Sequence, residues 1–241
     1  MKIAVTLPQF ARDVEPAIAA ARKAEAAGLD GVFVFDHLWA IGRPERPALT
    51  PFPLLGALAS ETDEITLGTL VARVRLLADT VLVHHFLTLQ RMVGDRLVAG
   101  LGTGDALSAA ENRAFGVGYP AIEERRAALS DVCRRLRTAG ITTWVGGSSP
   151  ATIAVAQREA DAVNLWEGTP AQLQAVKGLP VTWGGIVAPE PPQIAAQLES
   201  LRAAGATWAV CAAPHGPDRV IEAAMTLEWS RAGNRPRAIP K

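Results

Sequence analysis

The chain has 241 residues with 24 basic and 24 acidic side chains, so it carries no net charge when its four histidines are neutral. That balance lacks the basic footprint of a nucleic-acid-binding protein or of one drawn to an anionic membrane surface. The two cysteines, Cys133 and Cys211, form no CxxC pair, which argues against a disulfide framework or a zinc site, and a chain of this length buries enough surface to fold without either.

Met1-Lys2-Ile3-Ala4-Val5 opens as a strand and not as the long apolar core of a signal peptide. No run approaches the roughly 18 apolar residues that would span a bilayer. The expectation is a cytoplasmic protein without a membrane partner. Strand-length apolar runs follow at 3–7, 31–35, 65–71, 96–101, 143–146, 162–165, 181–187 and 208–212. They alternate with Ala-rich amphipathic runs, among them 13–27, 122–138, 150–159 and 192–204. Such alternation marks parallel βα units. Eight units in succession predict an α/β fold, a single (β/α)₈ TIM barrel over 1–232, with an irregular Pro- and Arg-bearing tail at 233–241. Asp13 is the expected N-cap of the first helix, with Pro16 in its first turn. Gly28, Gly140 and Gly205 stand just past three helices, where a positive φ closes the helix cheaply. The apolar run 81–89 suits either core packing or the interface of a homodimer.

In a barrel, functional residues gather at the C-terminal ends of the strands. His37, beside Asp36, is the histidine at such an end; it could hydrogen-bond a cofactor carbonyl or move a proton, or simply tie its own loop. Asp36 could orient that ring or cap the next segment. Strand four runs into Gly102-Thr103-Gly104-Asp105, a turn that lets backbone approach a ligand closely but is no complete dinucleotide fingerprint. Gly146-Gly147-Ser148 opens a helix, so free N–H groups, helix dipole and hydroxyl could cradle a phosphate, or form an ordinary tight turn. Trp39, Trp166 and Trp183 are candidates to face a flat ring or to fill the core, and His215 could line the pocket or sit in a plain turn. There is no Walker A sequence, no G-x-S-x-G elbow and no H-E-x-x-H.

Taken in order, several stretches resemble the luciferase-like monooxygenase superfamily. They are Ala24-Glu25-Ala26-Ala27-Gly28-Leu29-Asp30, Phe35-Asp36-His37-Leu38-Trp39, Ile65-Thr66-Leu67-Gly68-Thr69, Gly94-Asp95-Arg96 through Gly104, Glu123-Glu124-Arg125, and Trp144-Val145-Gly146-Gly147-Ser148. The resemblance implies a barrel that binds coenzyme F420 or FMN at the strand C-termini. Gly102-Thr103-Gly104-Asp105-Ala106-Leu107 is similar to a stretch of the F420-dependent sugar-phosphate dehydrogenases, which implies F420, with hydride passing between the deazaflavin and a small organic substrate. By that match His37 lies beside the ring and Asp105 takes or gives a proton, while Gly146, Gly147 and Ser148 hold the tail phosphate. Asp105 is one methylene shorter than the Glu of those enzymes, and the segment between strands four and five is short, so the cofactor is carried over and the sugar phosphate is not. The resemblance also implies a non-proline cis peptide at Leu70–Val71, supporting the back of the ring. The rival readings are an FMN-dependent monooxygenase fed by a partner reductase and a non-catalytic flavin- or deazaflavin-binding protein.

Overall fold

The computed structural model describes residues 1–213 and 216–227. Eight parallel strands carry the fold: β1 (Lys2–Thr6), β2 (Gly31–Val34), β3 (Thr66–Thr69), β4 (Leu97–Gly102), β5 (Thr142–Gly146), β6 (Ala162–Trp166), β7 (Val181–Ile186) and β8 (Ala206–Ala212). Each pairs with its neighbours in sequence, and β8 returns to β1 from Lys2–Trp208 to Val5–Cys211. The sheet is therefore a closed (β/α)₈ barrel with no free edge. After β3 the Leu70–Val71 peptide is cis, and the chain rejoins β4 at Ala72–Arg73.

The outer ring comprises α1 (Glu15–Ala26), α2 (Pro51–Glu61), α3 (Asp79–Val93), α4 (Ala106–Ala114), α5 (Ile122–Thr138), α6 (Pro150–Glu159), α7 (Pro170–Ala175), α8 (Pro191–Ala203) and α9 (Asp218–Thr226). Gly28, Gly140 and Gly205 take φ of 76°, 80° and 91° at the helix ends, as their position in the sequence predicts. The first helix corrects one expectation. Its N-cap is Val14 and not Asp13, and no side chain caps it. Val14 packs against the core while Asp13 stays in water, so burial sets the start of the helix one residue later. In the run 81–89, Leu82, Val83, Phe86 and Leu89 are buried in the core, while Val81 is 44% exposed. Among the described residues no helix is long and apolar enough to cross a membrane. The expected tail at 233–241 and His215 lie outside the described residues.

The core has two shells. One lies between strands and helices and includes Trp183, so that tryptophan packs the outside of the barrel. The other fills the barrel itself: Ala4, Phe33, Leu70, Val98, Trp144, Ala162 and Val210, with Val71 and Trp208 packed against them. Phe33 stacks on Trp144 at 5.1 Å, and Trp208 meets both rings edge-on at 6.1 and 5.4 Å. Large rings on β2, β5 and β8 are accommodated because β1 and β6 offer alanines in the same layer, which is how a barrel interior fills without voids. This plug closes the barrel below, and the site opens above it.

Candidate active site

A cavity of about 680 Å³ opens at the C-terminal ends of β2 to β6. The residues expected to bind the cofactor or carry the chemistry meet there: Asp36, His37, Leu70, Val71, Gly102, Thr103, Gly104, Asp105, Gly146, Gly147 and Ser148. Trp166 joins them from β6, and Ile41 reaches in from a small hairpin of Trp39–Ala40 and Arg43–Pro47 that the sequence reading does not anticipate. Trp39 itself belongs to that hairpin and packs on Phe115 at 5.6 Å.

The floor is made of backbone. A Cβ placed on Gly102 would come within 2.5 Å of Val71 Cγ2, and one on Gly146 within 2.9 Å of Val71 Cγ1. Only glycines let β4 and β5 close over Val71, and they leave a smooth strip on which a flat ring system fits. At one end of the strip the chain turns into α6. Ser149 caps that helix by accepting from the Thr152 N–H at 3.2 Å, with Pro150 in the first turn. The Gly147 N–H donates to the Asn164 carbonyl at 3.1 Å. Ser148 is left at the mouth of the helix dipole, a position that favours an anion.

His37 stands at the other side, its side chain 17% exposed. Its Nδ1 lies 3.1 Å from an oxygen of Glu111 in α4. The structure thus corrects the expected partner: Glu111, not Asp36, meets the imidazole. Glu111 also accepts from the backbone N–H of Leu38 and, at 3.2 Å, of Trp39, and it pairs with Arg73 at 2.7 Å. Asp36 instead accepts from the Arg73 backbone N–H at 2.7 Å, which anchors the end of β2 to the end of β3. Arg73 therefore sits between two buried carboxylates, and their proton affinities diverge. Burial pushes Asp36 above its ordinary range despite the neighbouring guanidinium. Burial also acts on Glu111, but the His37 hydrogen bond, Arg73 and the Leu38 N–H outweigh it and hold that carboxyl below its ordinary range.

Asp105 is the N-cap of α4. Its Oδ1 accepts from the Ser108 N–H and hydroxyl, both at 2.9 Å, while Ser108 Oγ accepts from the Asp105 N–H at 3.2 Å. Burial would raise this carboxyl, yet the Ser108 bonds more than offset it and hold it below the usual range. A carboxylate in that state is a weak base at neutral pH, which favours His37 over Asp105 for moving protons. The turn before it is held by Arg125, which donates to the carbonyls of Thr103 and, at 3.2 Å, Gly104, and stacks over Tyr119 at 3.9 Å. Asp105→Ala is expected to lower stability by about 1 kcal/mol through loss of the cap, whereas Asp105→Asn, which can still cap, stays within about 0.5 kcal/mol. Denaturant midpoints of the two variants check this; equal losses in both would mean that charge and not capping matters.

The family model of luciferase-like monooxygenases matches residues 1–140. The chain belongs to the luciferase-like monooxygenase family. An F420-dependent glucose-6-phosphate dehydrogenase of Nakamurella multipartita is 35% identical to it over 111 residues, 45% of this chain and 31% of that protein. Another, of Microbacterium testaceum, is 27% identical over 190 residues, 68% of this chain and 56% of that protein. The matches thus span only about a third to just over half of the length of these curated relatives. An F420-dependent secondary alcohol dehydrogenase in complex with an F420-acetone adduct shares the fold, with a TM-score of 0.80 at 12% identity over 95% of this chain and 98% of that one. The part of this luciferase-like chain that matches the family model contains Asp36, His37, Val71, Gly102–Asp105 and Glu111; the Gly146–Ser148 turn lies beyond it.

Glu111 and Arg73 were not recognised in the sequence as site residues. Glu111 lies in a helical stretch whose only local signal is the Asp105 cap, and nothing in the spacing joins it to His37, 74 residues earlier.

Proposed function

We propose that this protein is an F420-dependent oxidoreductase that moves a hydride between the deazaflavin and a small organic substrate. The observation that carries the reading is the glycine-floored strip over Val71, bounded by His37 on one side and by the α6 N-terminus with Ser148 on the other. That arrangement suits a planar ring with an anionic tail. The F420-dependent relatives support the choice of this cofactor over FMN.

Leu70, Val71, Gly102, Thr103 and Gly104 would bed the ring, with Asp36 holding the strand ends in register. Gly146, Gly147 and Ser148 would hold the tail phosphate, the two glycines by letting it approach the backbone closely and Ser148 through its hydroxyl at the α6 N-terminus. When bound, F420 supplies a two-electron hydride carrier, and the chain's task is to position and polarise. His37 would hydrogen-bond the reacting oxygen of the substrate and carry its proton. Asp105, kept ionised, would add negative charge at the mouth. Ile41, Leu107 and Trp166 line the mouth and are 46%, 53% and 44% exposed. Such a rim suits a substrate with an apolar face, an alcohol or carbonyl compound, better than a sugar phosphate.

F420 is expected to bind at least tenfold more tightly than FMN, a difference of about 1.4 kcal/mol. Titration of purified protein with each cofactor, followed by fluorescence quenching, checks it. Equal or reversed affinities would move the protein to the FMN-dependent monooxygenases. Tight F420 binding without turnover on a panel of apolar alcohols and carbonyl compounds would favour a binding protein.

A further inference from the structure

We infer that Glu111 is a positioning residue that holds neutral His37 as its Nδ1–H tautomer and so leaves Nε2 as the acceptor. Oε1 of Glu111 takes the backbone N–H groups of Leu38 and Trp39, and Oε2 takes Arg73 Nη1 at 2.7 Å. Backbone amides and guanidinium nitrogens can only donate, so these three bonds set the orientation of the carboxylate before the imidazole is considered. The side chain of Glu111 is 1% exposed, which leaves it no water to turn toward. His37 Nδ1 then faces Oε2 at 3.1 Å. An ionised carboxylate has no proton to give, and the same surroundings keep Glu111 ionised. Only an Nδ1 that carries the hydrogen satisfies that contact; the opposite tautomer would set a lone pair against a buried anion.

The second ring nitrogen is thereby assigned. In a neutral imidazole one nitrogen donates and the other accepts, so Nε2 holds the lone pair. His37 lines the cavity and Glu111 does not, so the carboxylate acts through the ring and not on a bound molecule. If the oxidoreductase reading above holds, Nε2 accepts the proton of a substrate hydroxyl in the oxidative direction. The imidazolium so formed is stabilised by Glu111 and returns the proton to a carbonyl oxygen in the reductive direction. This use of Nε2 rests on that reading; the tautomer itself does not.

Glu111→Gln tests the tautomer assignment. The carboxamide oxygen stays on the Leu38 and Trp39 amides, which require an acceptor, so the NH₂ faces Nδ1. Arg73 keeps Asn112 Oδ1 at 3.2 Å as a partner. The tautomer should invert, and by analogy with catalytic triads, where the corresponding Asp→Asn change costs about 10⁴-fold through the wrong tautomer, turnover should fall by at least tenfold. The readout that needs no cofactor is a long-range ¹H–¹⁵N correlation spectrum of the labelled apo protein at a pH where the imidazole is neutral, with the His37 signals assigned by their loss in His37→Gln. The expected wild-type pattern is a protonated Nδ1 and an unprotonated Nε2, reversed in Glu111→Gln. A wild-type ring protonated on Nε2, or an unchanged tautomer in a folded Glu111→Gln, would overturn the inference. If Glu111→Gln does not fold, the wild-type spectrum alone decides. Failure of F420 to bind would sink the functional proposal and leave the tautomer result standing.

Discussion

His37→Ala is expected to lower turnover by about 10²- to 10⁴-fold, the range for a positioned acid–base group, while F420 affinity changes by less than roughly an order of magnitude. The expectation follows from where the ring is tied. His37 faces the cavity while its Nδ1 is spent on Glu111, and among the described residues Nε2 is left for a reacting oxygen. The cofactor, in contrast, is expected to gain most of its binding from the Val71 floor and the α6 N-terminus, which the substitution does not touch. Single-turnover kinetics with saturating cofactor, beside a fluorescence titration, separates the two effects. Loss of cofactor binding in step with turnover would make His37 a ring anchor, and unchanged turnover would remove it from the chemistry.

Trp144→Ala should cost about 3–5 kcal/mol of stability, the range for deleting a large buried ring. Trp144 is 3% exposed, stacks on Phe33 at 5.1 Å and meets Trp208 at 5.4 Å, so no neighbour on β2 or β8 can move in without losing its own partner. The loss includes a cavity as well as a transfer contribution, because the closed ring of strands resists collapse. Trp144→Phe keeps an aromatic face toward Phe33 and should be the milder change. Denaturant unfolding of both variants gives the comparison. A loss below about 1 kcal/mol for the alanine variant would mean that the barrel interior is not packed as described.

Much of this was legible in the chain before folding. Strand-length apolar runs, Ala-rich amphipathic runs and glycines at the helix ends are local signals, so the eight βα units come out with strand boundaries within about two residues of those in the structure. The residues at the strand ends were legible for the same reason: once the fold is a barrel, the loop after each strand must face one end, which brings His37, Val71, Gly102 and Gly146 to one cavity.

The tertiary structure alone decided the rest. Trp144, Trp183 and Trp208 are all strand tryptophans, yet Trp144 and Trp208 fill the barrel while Trp183 packs against the helices. Alternation along a strand says that neighbours face opposite sides, but the register of the closed sheet determines which side is inside. The hairpin that brings Ile41 over the cavity carries Pro44 and Pro47, which in sequence argue against a strand; outside the barrel, an exposed ribbon tolerates them. Asp36 seemed the natural partner for its neighbour His37, yet adjacent side chains leave the backbone in different directions. The carboxylate that meets the ring comes instead from α4, carried there by the turn that Arg125 and the Asp105 cap hold in place. Sequence marks which residues can ionise; the packing of one element on another determines which of them touch.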